Sequence, residues 1–341
     1  MPIQTDDQLP PELVQAGRDD ARGSASGRAP MPSAVPAGTI HVVAATDDNY
    51  AQHLTVMLMS LFASCRSRPV QVHVLVPPGF TMRGHVEDAL KADASRVEFI
   101  SVADSTVRQL KTSVSLPPSS YYRVLVGEIL PPSVRRIVYL DCDLLVRSDL
   151  ADMWDAPLGN NIAAACPDTG GDAGVVLHVL DLPKTALYFN SGVMLIDLDR
   201  WRRENVGQQV IDFAREHPDL LTWGDQCALN WVLRDSWKPL GNEWNVQTPS
   251  FGCGVKGDLY FYKPAPPAAM AGRIIHFTGW GRPWNYMSEH PFKPLYQHYL
   301  AQTFWRGRRP SDKYPHNMVC KTLKRHAPGL LPYYIRLRRI I

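Results

Sequence analysis

The sequence predicts an α/β fold built on a doubly wound, mostly parallel central sheet with helices on both faces, followed by a basic C-terminal tail. Three observations carry this expectation. Short apolar runs rich in β-branched residues alternate with segments whose apolar residues recur at helical spacing. Two acidic clusters directly follow such runs, where open α/β sheets bind ligands. The chain has 341 residues, 45% of them hydrophobic, which is enough to bury a large core.

Residues 1–37 are rich in Pro, Gly, Ser, Ala and charge and bury too little apolar surface to order themselves, so a disordered leader is expected there. Ile40-His-Val-Val-Ala-Ala45 reads as a buried first strand, which stops at the polar run Thr46-Asp-Asp-Asn49. From Tyr50 to Ser64, Leu54, Leu58, Leu61 and Phe62 fall at helical spacing, completing one β-α step. A second strand at Val70–Val76, a helix around Val86 and Leu90 and a third strand at Val97–Ile100 repeat the alternation. After the Pro117-Pro118 break, Tyr121–Leu130 reads as a helix, and Arg136-Ile-Val-Tyr-Leu140 as a strand that ends on Asp141-Cys-Asp143.

Further strands are expected at Ile162–Cys166, Val193–Ile196 and Arg273–Phe277, with helices over Val206–Ala214 and Gln226–Val232. These elements make one domain over residues 38–305. From 306 to 341 ten Lys and Arg residues face the single acid Asp312, interleaved with segments such as Leu330-Leu-Pro-Tyr-Tyr-Ile335. Such a tail suits the face of an anionic membrane, or equally a solvated helix surface.

Bulk properties exclude several function classes. The net charge of +3 is too small and too evenly spread for nucleic acid. Six scattered cysteines without a CxxC pair suggest reduced thiols rather than a zinc knuckle or a disulfide framework. No run approaches the ~18 apolar residues that a membrane span requires, so a cytoplasmic protein is expected, peripheral at most on the inner face of the membrane.

Two carboxylates spaced as in Asp141-x-Asp143 at a strand end can hold a divalent cation. Spacing alone is weak, because a chain of this length yields about one such pair by chance, and Asp197-Leu-Asp199 is a second instance. His276, at the end of another strand, offers an imidazole from a different direction. One imidazole with two carboxylates suits Mn2+, with Mg2+ as the substitute, better than Zn2+.

The segments Ala44-Ala-Thr-Asp-Asp-Asn-Tyr50, Val138-Tyr-Leu-Asp-Cys-Asp-Leu-Leu-Val146, Tyr188-Phe-Asn-Ser-Gly-Val-Met-Leu-Ile196, Asp225-Gln226 and His276-Phe-Thr-Gly-Trp-Gly-Arg-Pro-Trp284 resemble, in order, the motif set of glycosyltransferase family 8. The likeness runs from about residue 39 to about 300 and is strongest to the bacterial lipopolysaccharide and lipooligosaccharide glucosyl- and galactosyltransferases. It implies a GT-A fold, a UDP-hexose donor, Mn2+, a carbohydrate or glycolipid acceptor and retention of anomeric configuration.

Carried over by position, the resemblance implies that Ala45, Asp47, Asn49 and Tyr50 hold the uridine, while Cys142 meets the ribose through its main chain. Asp141, Asp143 and His276 become the metal ligands. Arg123 falls near the donor sugar, Asn190, Asp225 and Gln226 surround the transferred hexose, and Gly279 and Arg282 grip the diphosphate. The family places a lysine where Arg282 stands; a guanidinium keeps the charge and can engage two phosphate oxygens. Each residue also has a plain structural role open to it: an Asx turn for Asp47, a first-turn acid for Asp225, a helix-surface arginine for Arg123. Two other functions compete, a haloacid-dehalogenase-like phosphatase and an inactive carbohydrate-binding scaffold. The first expects its Asp-x-Asp near the domain start, followed by Thr or Gly-Thr; here about 100 residues precede it and Leu144-Leu145 follow.

Overall fold

A computed structural model of the protein describes residues 38–103, 107, 110, 117–170, 173–256, 259–262, 264–279 and 281–338. The leader at 1–37 lies outside them, as do Trp280 of the last motif and Arg339 of the tail.

Strands β1 (Ile40–Ala45), β2 (Val70–Val76), β3 (Val97–Ser101) and β4 (Arg136–Leu140) stand close to their expected limits. They are followed by β5 (Leu144–Val146), β6 (Ala163–Pro167), β7 (Phe189–Asp197), β8 (Trp237–Pro239), β9 (Val246–Gln247), β10 (Cys253–Lys256), β11 (Leu259–Tyr262) and β12 (Ile274–His276). The main sheet has the order β3-β2-β1-β4-β7-β6-β8. All its neighbours are parallel except β7, which runs against both β4 and β6.

Alternation along β1 shows why both faces need cover: Ile40, Val42 and Ala44 enter one buried layer and Val43 the other. The first layer is closed by helices α1 (Ala51–Ser64), through Leu54, Leu58 and Leu61, α2 (Arg83–Leu90), through Val86 and Leu90, and α6 (Lys293–Leu300). The second is closed by α3 (Leu198–Arg203), α4 (Val206–Glu216) and α5 (Asp225–Val232), which contribute Trp201, Val210 and Leu229.

Three departures from the expected elements matter for the site. The segment expected as one helix over 121–130 is a 3-10 helix, Pro118–Leu125, and a single α turn, Val126–Ile129; its Arg123 is buried rather than on a surface. Strand β7 begins four residues before Val193, which brings Asn190 into the sheet. The β6–β7 register jumps from Ala165↔Met194 to Cys166↔Asn190, leaving Ser191, Gly192 and Val193 in excess as a bulge on β7.

The chain also leaves β4, crosses Asp141-Cys-Asp143 and enters β5 of a second, three-stranded sheet ordered β5-β12-β9. The acidic pair therefore stands at the junction of two sheets.

The tail folds as α7 (Pro315–His326) and α8 (Leu331–Arg338). Met287, Cys320 and Leu331 form a small cluster of their own, and Asp312 accepts the backbone N–H groups of Tyr286 and Met287, so the tail is docked on the loop before α6.

Candidate active site

Strand direction gathers the site at one sheet edge. β1, β4 and β6 end there, and β7, running the other way, begins there. Asp47, Asp141, Asp168 and Asn190 thus share an edge although 143 positions separate the first from the last. Asp141 N–H donates to the Gly192 carbonyl at 2.8 Å, fastening the acidic pair to the β7 bulge.

His276 arrives from the small sheet. β12 pairs antiparallel with β5, so His276 lies opposite Leu144, and Phe277 N–H donates to the Asp143 carbonyl at 3.0 Å. That register sets the imidazole Nε2 3.3 Å from Asp143 Oδ1 and 3.9 Å from Asp141 Oδ2. Asp141, Asp143 and His276 each offer one ligand atom, all within 4.8 Å of one another. Two carboxylate oxygens and one imidazole nitrogen form a donor set that fits a divalent metal ion. The cradle is tight behind: a Cβ at Gly192 would meet the His276 ring and stand 2.6 Å from Asp141 Oδ2. Burial opposes ionisation of Asp143, but its contact with the His276 ring and the charge of Arg282 outweigh it and hold the carboxyl down to about 2.

Arg123 lies beneath this cluster, with its NH2 group 3.0 Å from Asp141 Oδ1 and its Nε 2.8 Å from Asp225 Oδ2. Its Nε–H is aimed at the Ser120 carbonyl, 3.0 Å away, so the Asp225 contact is one of charge rather than an aligned hydrogen bond. Its NH1 group donates to the Ser191 carbonyl at 2.7 Å, and its guanidinium lies over the Tyr139 ring. Burial works against the Arg123 charge, and Asp141 and Asp225 overcome it and keep the group protonated. Burial likewise pushes the Asp225 carboxyl up to about 6, against the pull of Arg123. Removing Arg123 would leave two acids facing each other without a counter-charge, a change that typically costs about 3–5 kcal/mol.

Gln226 and Asn190 meet through Asp168. Asp168 Oδ2 accepts from Asn190 Nδ2 and from Gln226 Nε2, both at 3.1 Å, and Gln226 Oε1 accepts from Ser191 N–H at 3.0 Å. Both ends of the Gln226 amide are therefore engaged.

On the β1 side, Asp47 Oδ1 accepts the N–H groups of Asn49 and Tyr50 at 2.9 and 3.1 Å, the expected Asx turn before α1. Cys142 Sγ donates to the Ala45 carbonyl at 3.0 Å, joining the ends of β1 and β4. Arg282 donates to the Tyr50 hydroxyl at 3.0 Å and lies near the Trp284 ring, while its Nε is buried without a partner. Gly279 takes a left-handed φ of 67° just beyond β12. No hydrogen bond among the described residues joins Asp47, Asn49 or Gly279 to the acidic pair.

Sequence reasoning missed Asp168, Ser191, Gly192 and Asn245. Asp168 directly follows β6, the same strand-end signal that marked Asp141. Asn245, between Trp244 and Val246, carries no such signal.

Known proteins resemble this chain along most of its length. The family profile described as "Glycosyl transferase family 8" matches residues 41–288. General stress protein A of Bacillus subtilis is 32% identical over 284 residues, covering 78% of this chain and 94% of that protein. Lipopolysaccharide 1,2-glucosyltransferase of Escherichia coli is 20% identical, covering 80% of this chain and 81% of its own. Among solved structures, a galactosyltransferase, LgtC, in complex with donor and acceptor sugar analogues superposes with a TM-score of 0.66 at 23% identity, covering 79% of this chain and 99% of that one. That likeness shows the fold, the GT-A architecture.

Proposed function

Because this chain belongs to glycosyl transferase family 8, we propose that it transfers a hexose, of the glucose or galactose class, from a UDP-sugar to a carbohydrate or glycolipid acceptor, with Mn2+ as cofactor and retention of anomeric configuration. The observation that carries this reading is the convergence of Asp141, Asp143 and His276 at the sheet edge where Arg282 also stands. Family membership alone carries the retention.

In this reading the uridine lies along Ala45, Asp47, Asn49 and Tyr50. The Asx turn occupies Asp47 Oδ1 and leaves the other carboxylate oxygen to accept the uracil N3–H. Cys142, tied to Ala45, presents its main chain to the ribose. The bond to be broken lies between the anomeric carbon and the β-phosphate oxygen, so negative charge grows on the diphosphate. A divalent ion, when bound, supplies charge against that growth. Arg282 exchanges the Tyr50 hydroxyl for phosphate oxygens, and the Gly279 main chain closes the grip. Asn190 and Asp225 hold hydroxyls of the hexose, and Arg123 keeps Asp225 and Asp141 apart.

Gln226 is a poor nucleophile with both amide ends occupied. The acceptor hydroxyl therefore attacks on the face the diphosphate leaves, and the departing phosphate takes its proton.

UDP release from UDP-glucose and UDP-galactose, with Mn2+ and after chelation, tests the proposal. Release from one of them that requires the metal supports it. A phosphatase would ignore both sugars and a scaffold would release nothing, and either result removes the reading. Arg282→Lys should keep activity within about tenfold, because the charge remains; complete loss would mean that phosphate binding depends on the guanidinium fork.

The acceptor's setting follows from the tail. Of the nine large hydrophobic residues exposed among those described, six lie between Phe304 and Tyr333, a stretch that also exposes Arg306, Arg308 and Arg325. No helix among the described residues is long and apolar enough to cross a membrane. Exposed aromatic and basic groups together suit a peripheral stance on anionic lipid at the inner face of the cell membrane. Replacing Phe304 and Tyr333 by Ser should lower sedimentation with phosphatidylglycerol vesicles; equal sedimentation of variant and parent rejects the stance.

A further inference from the structure

Behind His276 runs a chain of buried side chains in which each hydrogen bond dictates the direction of the next. It begins at Asp168. An ionised carboxylate can only accept, so Asn190 must turn its Nδ2 toward Asp168 Oδ2, 3.1 Å away. Asn190 Oδ1 then faces the other way. There it accepts the Gly192 backbone N–H at 3.1 Å, and because a backbone amide can only donate, this fixes the Asn190 orientation a second time. Asn190 Oδ1 also accepts Asn245 Nδ2 at 2.9 Å. Asn245 is thereby forced to present Oδ1 to His276 Nδ1, at 3.0 Å.

An amide oxygen can only accept, so the last bond requires the proton on His276 Nδ1. In the neutral imidazole the lone pair is then on Nε2, where it can meet a cation; while no cation is bound, Asp143 Oδ1 and Asp141 Oδ2 can only accept and draw a proton to that nitrogen as well. A free neutral imidazole prefers the opposite tautomer, with its proton on Nε2. Asn245 is 2% exposed and His276 3%, so no water competes for this bond.

From this we infer that Asn245 is a positioning residue. It holds the His276 ring in place with a proton on Nδ1, so that Nε2 is the nitrogen left to offer a lone pair to a cation between the two carboxylates. Asp168 is the anchor that gives the chain its direction. The inference rests on the reading of Asp141, Asp143 and His276 as a metal site, and extends it to a residue that touches neither substrate nor ion. The same anchor also holds Gln226, so one carboxylate orients the metal-side imidazole and the amide expected beside the hexose.

Two measurements on the full chain test it. In the first, Mn2+ binding without nucleotide is followed by electron paramagnetic resonance for the parent, Asn245→Leu and Asn245→Asp. Loss of an outer-shell partner of a ligating histidine typically costs 10–100-fold in affinity, so Asn245→Leu should weaken binding at least about tenfold. Asn245→Asp, which keeps an acceptor on Nδ1–H, should recover most of that loss. In the second, long-range proton–nitrogen correlation on protein labelled in its histidines, without metal and in mildly alkaline buffer, reads the tautomer directly, with His276 assigned through His276→Gln. The parent should carry a proton on Nδ1, whether or not the carboxylates also hold one on Nε2, and Asn245→Leu should shift the population toward Nε2–H alone. Unchanged Mn2+ affinity together with an unchanged tautomer in Asn245→Leu overturns the inference. Should Asn245→Leu fail to fold, Asn245→Asp and the parent ring decide: a parent ring protonated on Nε2 alone is enough to reject it. Failure of the parent itself to bind Mn2+ would instead reject the metal reading, while the tautomer would still report on Asn245.

Discussion

Asp141-Cys-Asp143 and Asp197-Leu-Asp199 are the same acidic pattern, each leaving the end of an apolar strand, yet they stand at opposite edges of the sheet. The cause is strand direction. β4 and β7 are antiparallel, with Arg136 opposite Asp197 and Leu140 opposite Val193. Asp197 is therefore beside the start of β4 while Asp141 follows its end, about 16 Å further along at roughly 3.3 Å per residue. Asp141 and Asp143 meet an imidazole and a buried guanidinium there. Asp197 instead caps α3, accepting the Arg200 N–H at 3.0 Å, and Asp199 pairs with the exposed Arg135 at 2.5 Å. A motif of this kind acquires chemistry from the edge to which its strand delivers it.

The widest separation between the two pairs should appear in turnover. Asp143→Asn should lower Mn2+-dependent UDP release at least about a thousandfold, because it removes a negative ligand from the three-atom set. Asp199→Asn should leave release within about twofold. Equal effects at the two positions would mean that the sheet edge does not decide function. A smaller difference is expected at Gly192, which backs the first pair. Gly192→Ala drives a methyl group into the His276 ring and toward Asp141, and should weaken Mn2+ binding at least about tenfold by displacing both ligands. The same substitution at Gly174, where a Cβ meets nothing within 4 Å, should leave binding unchanged. Full binding in Gly192→Ala would show that the cradle yields.

The same two pairs mark what could be read from the sequence. Local periodicity located β1, β2 and β4 and put the first pair at a strand end, because strand and helix periods are properties of a few neighbouring residues. It could not see that β7 runs antiparallel, since direction is set by the connection and the neighbours. Nor could it see that Asn190 lies within β7, where a bulge interrupts the pairing. Arg123 read as a surface residue because its partners, Asp141 and Asp225, are 18 and 102 positions away. His276 was found at a strand end and in a motif, whereas Asn245, which turns it, belongs to no motif and is recognisable only by its contacts. The acidic pair and His276 were thus legible, and the residues packed behind them were not.

The second pair has a measurable role of its own, and it concerns stability. Asp197 supplies the side-chain cap of α3, and a helix of six residues has few other ways to satisfy its first N–H groups. Asp197→Ala should therefore cost about 1 kcal/mol in urea unfolding, with Mn2+-dependent UDP release unaltered. Asp199→Ala loses pairs with Arg135, which is 78% exposed, and with Arg202 at 3.8 Å. Solvent screens such contacts, and Arg202 keeps its bonds to the Gly127, Leu130 and Val134 carbonyls, so unfolding should not move measurably. The ordering within the pair is the critical point. If Asp199→Ala destabilised the protein more than Asp197→Ala, the surface ion pairs would outweigh the cap, and the capping account of this motif would be wrong.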